Sequence, residues 1–162
     1  MREPLDIGGG VAIDPVSLRT VVVDEAAFAS GIGSSTNPAD QVLAALVTGR
    51  LEDAEQLVAA SWTADPPFRL RALAADLRSA RSDHAGAIDG YRALLAETVG
   101  GPREAVVRQH LGKALFAAGR LTAAQEQFEL ALRRREAAGA AADLLASSRL
   151  ALDRVRELLA GA

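Results

Sequence analysis

From residue 37 onward the chain is cut into segments of about 10 to 20 residues, most opened by a helix-start signal and most closed by glycine. Asn37-Pro38 and Asp65-Pro66 each place a capping side chain before a proline, whose fixed φ and missing N–H suit the first helical turn. Gly101-Pro102 opens another segment, Asp83 caps one, and Thr122 with Gln125 three residues on reads as a capping box. Gly49, Gly100, Gly119 and Gly139 supply the residue type that most readily ends a helix. The expected helices are 38–48, 51–63, 66–80, 84–98, 102–118, 122–138 and 141–160. Helices this short rarely bury their apolar faces alone, so stacked neighbours are expected.

The apolar spacing agrees. Leu70, Leu73, Ala74 and Leu77 follow the i, i+3, i+4, i+7 pattern, and Val107, Leu111, Ala114, Leu115 and Ala118 form a similar stripe. Aromatics make up only 4% of the chain and alanine is abundant, which suits close helix packing better than a sheet sandwich. The last segment sets Leu144, Leu145, Leu152, Val155, Leu158 and Leu159 against Asp143, Asp153, Arg154, Arg156 and Glu157, as a terminal capping helix requires.

Residues 1–36 differ in texture. They hold Gly8, Gly9, Gly10, Gly31 and Gly33, and the apolar runs Val11–Ile13 and Leu18–Val23 separated by Asp14-Pro15. This predicts a short β-hairpin, which must pack on something to be stable. Glu25–Ser30 reads as a single helical turn and 31–35 as a linker.

Aligning the second helix of each pair brings out a repeat. Ala54, Ala87 and Ala124 are spaced by 33 and 37 residues. Gly49-Arg50-Leu51 precedes the first and Gly119-Arg120-Leu121 the third. The unit at 105–138 places Leu111-Gly112, Leu115, Gly119, Ala124, Phe128 and Ala131 on the signature spacing of the tetratricopeptide family, which it resembles closely. Units at 35–68 and 68–101 match in part: Ala75 stands where the signature has glycine, Arg78 where it has an aromatic, and Leu94 where it has a small residue. Residues 102–104 read as an insertion. The resemblance implies an all-α fold, a right-handed superhelix of antiparallel helix pairs over 37–162, closed by the helix 141–160 and preceded by the 1–36 segment as hairpin or irregular chain. It also implies a concave groove lined by the first helices, to which Leu43, Arg69, Asp76, Gln109, His110, Lys113, Phe116 and Asp143 belong in this register. The Lys/Asn/Arg set with which some members grip a C-terminal carboxylate is absent: the matching places hold Ala39, Leu43, Leu73, Val106 and His110.

The residues carry no catalytic pattern. Without cysteine, thiol catalysis, thiolate metal sites and disulfides are excluded. The two histidines, His84 and His110, are not accompanied by converging metal ligands, and His84 is expected in a solvated turn. Gly8-Gly9-Gly10 lacks the Lys and Ser/Thr of a phosphate loop. Arg133-Arg134-Arg135 falls at a helix end, where cations complement the dipole, and a pI near 5.4 argues against a nucleic-acid footprint. Trp62 is expected to pack.

No enzyme activity, cofactor, metal, nucleic-acid partner or membrane span is therefore expected. MREPLDIGGG has no apolar core of a signal peptide, and the expected compartment is the cytoplasm. Charge is uneven: residues 1–67 hold three Arg against ten acids, and 68–162 hold fifteen bases against eleven acids. That asymmetry reads either as solvated faces or as an acidic front docking on a basic back. The expected function is a non-catalytic module binding a peptide or protein segment in the groove. The alternative is self-assembly as a homodimer through the N-terminal segment or the array end.

Overall fold

Three successive glycines with positive φ, Gly8 (83°), Gly9 (65°) and Gly10 (78°), turn the chain between its first two strands. This is seen in a computed structural model, which describes residues 3–161. Strand β1 is Leu5–Asp6, β2 is Val11–Ile13 and β3 is Thr20–Val22, in the antiparallel order β1-β2-β3. The expected hairpin is β2–β3, with Val11 opposite Val22 and Ile13 opposite Thr20. Strand β1 is an addition, and two residues are too short a run to register as alternation. Asp14 organises the tip: its Oδ1 accepts from the Ser17 N–H at 2.6 Å and the Ser17 hydroxyl at 2.7 Å, an Asx turn.

Helix α1, Glu25–Ser30, is capped by Asp24, and a 3-10 turn follows at Ile32–Ser34. Phe28 and Val11 pack with Ala44, joined by Val22, Ile32 and Val47, so the sheet and α1 sit on α2.

The remaining helices are α2 (Pro38–Val47), α3 (Leu51–Ser61), α4 (Phe68–Ala80), α5 (His84–Thr98), α6 (Glu104–Ala117), α7 (Leu121–Ala137) and α8 (Ala142–Ala160). Asn37 and Asp83 cap as expected, each accepting from a backbone N–H two or three residues on. Gly49, Gly100, Gly119 and Gly139 all have positive φ. Three start signals are displaced. Helix α4 begins after Pro67 instead of at Pro66, and α6 begins at Glu104 instead of Pro102. Helix α7 begins at Leu121, which puts Thr122 inside the first turn and abolishes the capping box. Gln125 instead donates to Glu129 at 2.9 Å.

Each helix from α2 to α8 packs on the next, and α2 also meets α4, α4 meets α6 and α6 meets α8. The core runs along this series. Val42, Leu70, Leu73, Ala45, Ala54 and Leu77 fill the α2–α4 part. A larger cluster joins α4 to α8 through Tyr91, Leu94, Val107, Leu111, Leu115, Phe128 and Leu152, among others. Gly112 is there because α7 comes so close: a Cβ would lie 2.5 Å from the Phe128 ring. At the α4–α5 contact the small residue sits on the second helix instead, where a Cβ on Gly90 would meet Ala75 at 3.2 Å. Arg78 reaches back over this contact to the Gly86 carbonyl at 3.3 Å with its head in solvent.

Trp62, expected to pack, is half exposed at the end of α3. His84 is partly buried, with an unpartnered Nδ1, because it opens α5 directly after its cap instead of lying in the preceding turn. Two surface ion pairs cross from the acidic front to the basic back, Asp40 with Arg69 at 2.5 Å and Glu55 with Arg81 at 2.8 Å. Among the described residues, no helix is long and apolar enough to cross a membrane.

Candidate functional site

Asp76 on α4, Tyr91 on α5, and His110 and Lys113 on α6 converge where three successive helices touch. The Tyr91 ring is buried in the core, so its hydroxyl must find a partner. It donates to Asp76 Oδ1 at 2.5 Å, with the Ala72 carbonyl 3.0 Å and His110 Nδ1 3.3 Å away. The Tyr91 and His110 rings stack with centroids 5.6 Å apart, and His110 Nδ1 lies 3.6 Å from Asp76 Oδ1. Asp76 and His110 each keep 35% of their side-chain surface open, so the cluster has a buried floor and an accessible mouth.

The electrostatics follow from that geometry. Partial burial pushes the Asp76 carboxyl up, but the charge and hydrogen bond of His110, the Tyr91 hydroxyl and the Lys113 charge outweigh it and hold the carboxyl below its usual range. Burial pulls the Lys113 amine below the usual lysine value, opposed by Asp76 and assisted by Arg135. Burial, then the Asp76 charge and hydrogen bond, raise the Tyr91 phenol well above 10, so at neutral pH it is a neutral donor. The cluster sets the Asp76 carboxylate beside the Lys113 amine and the His110 imidazole, and suits a ligand with polar groups of both kinds.

The other expected groove residues separate. Arg69 is exposed and engaged by Asp40, and Asp143 is exposed in the first turn of α8. Leu43 packs against the α2–α4 core and Phe116 against the α4–α8 core. Gln109 is a correction: only 2% of it is exposed, so it presents nothing to a groove. Its Oε1 accepts from the Ser148 hydroxyl at 2.8 Å, while Arg135 donates to Ser148 Oγ and to the Leu144 carbonyl, both at 2.7 Å. Gln109 Nε2 has no partner. A residue at 109 faces α8, and the packing of α8 is set 39 residues away.

Arg134 and Arg135, expected to complement a helix end, do so and more. Arg134 lies 3.0 Å from Glu104, and Arg135 joins α7 to α8. They also border an open cleft of about 510 Å³ between the start of α6 and the end of α7, walled by Pro102, Val106 and Leu144. Sequence reasoning missed two participants. Tyr91 fills the core with its ring while its hydroxyl reaches Asp76, and Leu18 enters the α4–α8 core from the hairpin, a contact that no local pattern signals.

No group of three or more His, Asp or Glu is placed to hold a metal ion among the described residues. Comparison of the chain with protein-family models, curated proteins and solved structures finds no match.

Proposed function

We propose that this chain is a non-catalytic, tetratricopeptide-like interaction module that binds a peptide or protein segment on the face formed by α2, α4, α6 and α8. The architecture is supported by the repeat signature at 105–138, by the close approach at Gly112, and by the contacts between alternate helices. The observation that carries the binding reading is the half-open Asp76–His110–Lys113 cluster on two of these first helices, α4 and α6. A binding face needs accessible polar groups of defined geometry beside apolar surface, and hot spots form where such groups are held by packing. Tyr91 holds Asp76 from behind, which fixes the geometry before a ligand arrives.

The test is capture from native extract by the purified chain, beside a variant carrying Asp76→Ala and Lys113→Glu with parental circular dichroism. A protein recovered by the parent and lost by the variant supports the reading. Equal recovery contradicts it, and recovery of the chain alone points to homodimerisation.

A further inference from the structure

The tip of the hairpin reaches the far end of the array. Leu18 lies between β2 and β3, yet only 2% of it is exposed, because it joins the apolar cluster of α4 to α8. The base of the same hairpin belongs to a different cluster, Val11 with Phe28 and Ala44 on α2. Arg154 of α8 donates through Nε to the Val16 carbonyl at 3.2 Å, across 138 residues of sequence. Leu18 also has φ of 59°, the left-handed region that a branched, non-glycine residue rarely adopts. Such a conformation persists when its surroundings hold it.

Within the tip the bonding is self-contained. The Asp14 carboxylate takes the Val16 and Ser17 N–H groups, Leu18 N–H donates to the Asp14 carbonyl at 2.9 Å, and Asp14 N–H donates to the Arg19 carbonyl at 2.8 Å. These hydrogen bonds close the turn within residues 14–19. What ties it to the array is the burial of Leu18 in the α4–α8 cluster and the hydrogen bond from Arg154 of α8. A preformed turn offering one leucine to a helical face is what a bound peptide looks like.

We propose that the tip, Asp14 to Arg19, is an intramolecular occupant of the α8 end of the binding face, seated by Leu18, which an incoming segment must displace. The proposal rests on the binding reading above for its purpose but not for its test. Release costs the molecule one leucine contact and one hydrogen bond, and leaves the base of the sheet on α2.

The variant that tests this is Leu18→Gly in the full chain. Glycine accepts the left-handed φ, so the turn keeps its conformation while the seated side chain is lost. Arg154→Ala is the second variant. The probe is a backbone-cyclised peptide of residues 9–24, followed together with amide hydrogen exchange. The expected result is peptide binding to Leu18→Gly at least about tenfold tighter than to the parent, a factor within reach of one buried leucine. Arg154→Ala should lie between them, and exchange should quicken in the tip and α8 but not in α2 and α3. Equal binding to parent and Leu18→Gly, or no binding to either, would overturn the proposal. So would cooperative unfolding of both variants, which would make the tip part of the core. None of these outcomes bears on the Asp76 and Lys113 capture experiment, so the two ideas fail separately.

Discussion

The Glu104 carboxylate at the start of α6 lies 3.0 Å from the Arg134 guanidinium at the end of α7, with 2% of the Glu104 side chain exposed. The same carboxylate accepts from the Gly100 N–H at 2.8 Å and from Arg108 at 2.7 Å. It closes the loop before α6 and ties two helices together, in place of the side-chain cap that Arg103 does not provide. Replacing Glu104 by Ala strands these donors and is expected to cost about 2 kcal/mol, read by urea denaturation at neutral pH.

That cost should depend on pH. The Gly100 N–H, then Arg108, and the Arg108 and Arg134 charges hold the carboxyl below its ordinary 4.5 against the opposing effect of burial. A carboxyl lowered in the folded state stabilises above its unfolded value, and that stabilisation is lost as pH falls through the folded value. The stability gap between parent and Glu104→Gln is therefore expected to be constant from pH 8 to about 6 and to shrink below about pH 4.5. A gap that widens with acid would contradict the assignment.

Gly112→Ala should destabilise the chain although helix propensity alone favours alanine by about 1 kcal/mol. The added methyl would lie 2.5 Å from the Phe128 ring, on an aromatic that is itself fully buried. Overpacking of this kind costs about 1–3 kcal/mol, roughly 2–4 °C in Tm for each kcal/mol at this size. Phe128→Leu in the same chain should recover part of the loss, a coupling that a double-mutant cycle measures.

Much of the helical half is legible because its signals are local. Asp83 and Gly100 bracket a helix expected at 84–98 and found at His84–Thr98. At α7 the reading slips: Arg120 precedes the helix with no side-chain bond, and Thr122 offered a more persuasive motif. The site is legible only in part. Asp76, His110 and Lys113 share a face through helical spacing, but Gln109 depends on where α8 lies, and Tyr91 enters from the intervening helix. The burial of Leu18 in the α4–α8 core and the Arg154–Val16 hydrogen bond join the hairpin to the array, which no local pattern records.

Gln109→Ala should lower stability by about 1–2 kcal/mol, because the Ser148 hydroxyl and Arg135 would lose the acceptor at the end of their chain. It should leave ligand binding unchanged. Urea denaturation beside a binding assay separates the two effects.

Tyr91→Phe should raise the Asp76 pKa, since it removes one of the hydrogen bonds that favour the carboxylate. Carboxyl-carbon NMR titration of the parent and variant reads the shift, and an unchanged or lowered value would contradict the geometry.

The most direct measurement is site-specific photo-cross-linking in the native extract, with the reactive residue placed at His110 on α6 or at Arg92, exposed on α5. The account predicts that position 110 cross-links a distinct protein, that Asp76→Ala with Lys113→Glu abolishes the adduct, and that position 92 yields none. Adducts from position 92 alone, or adducts at 110 that survive the double variant, would contradict binding at the Asp76–His110–Lys113 face.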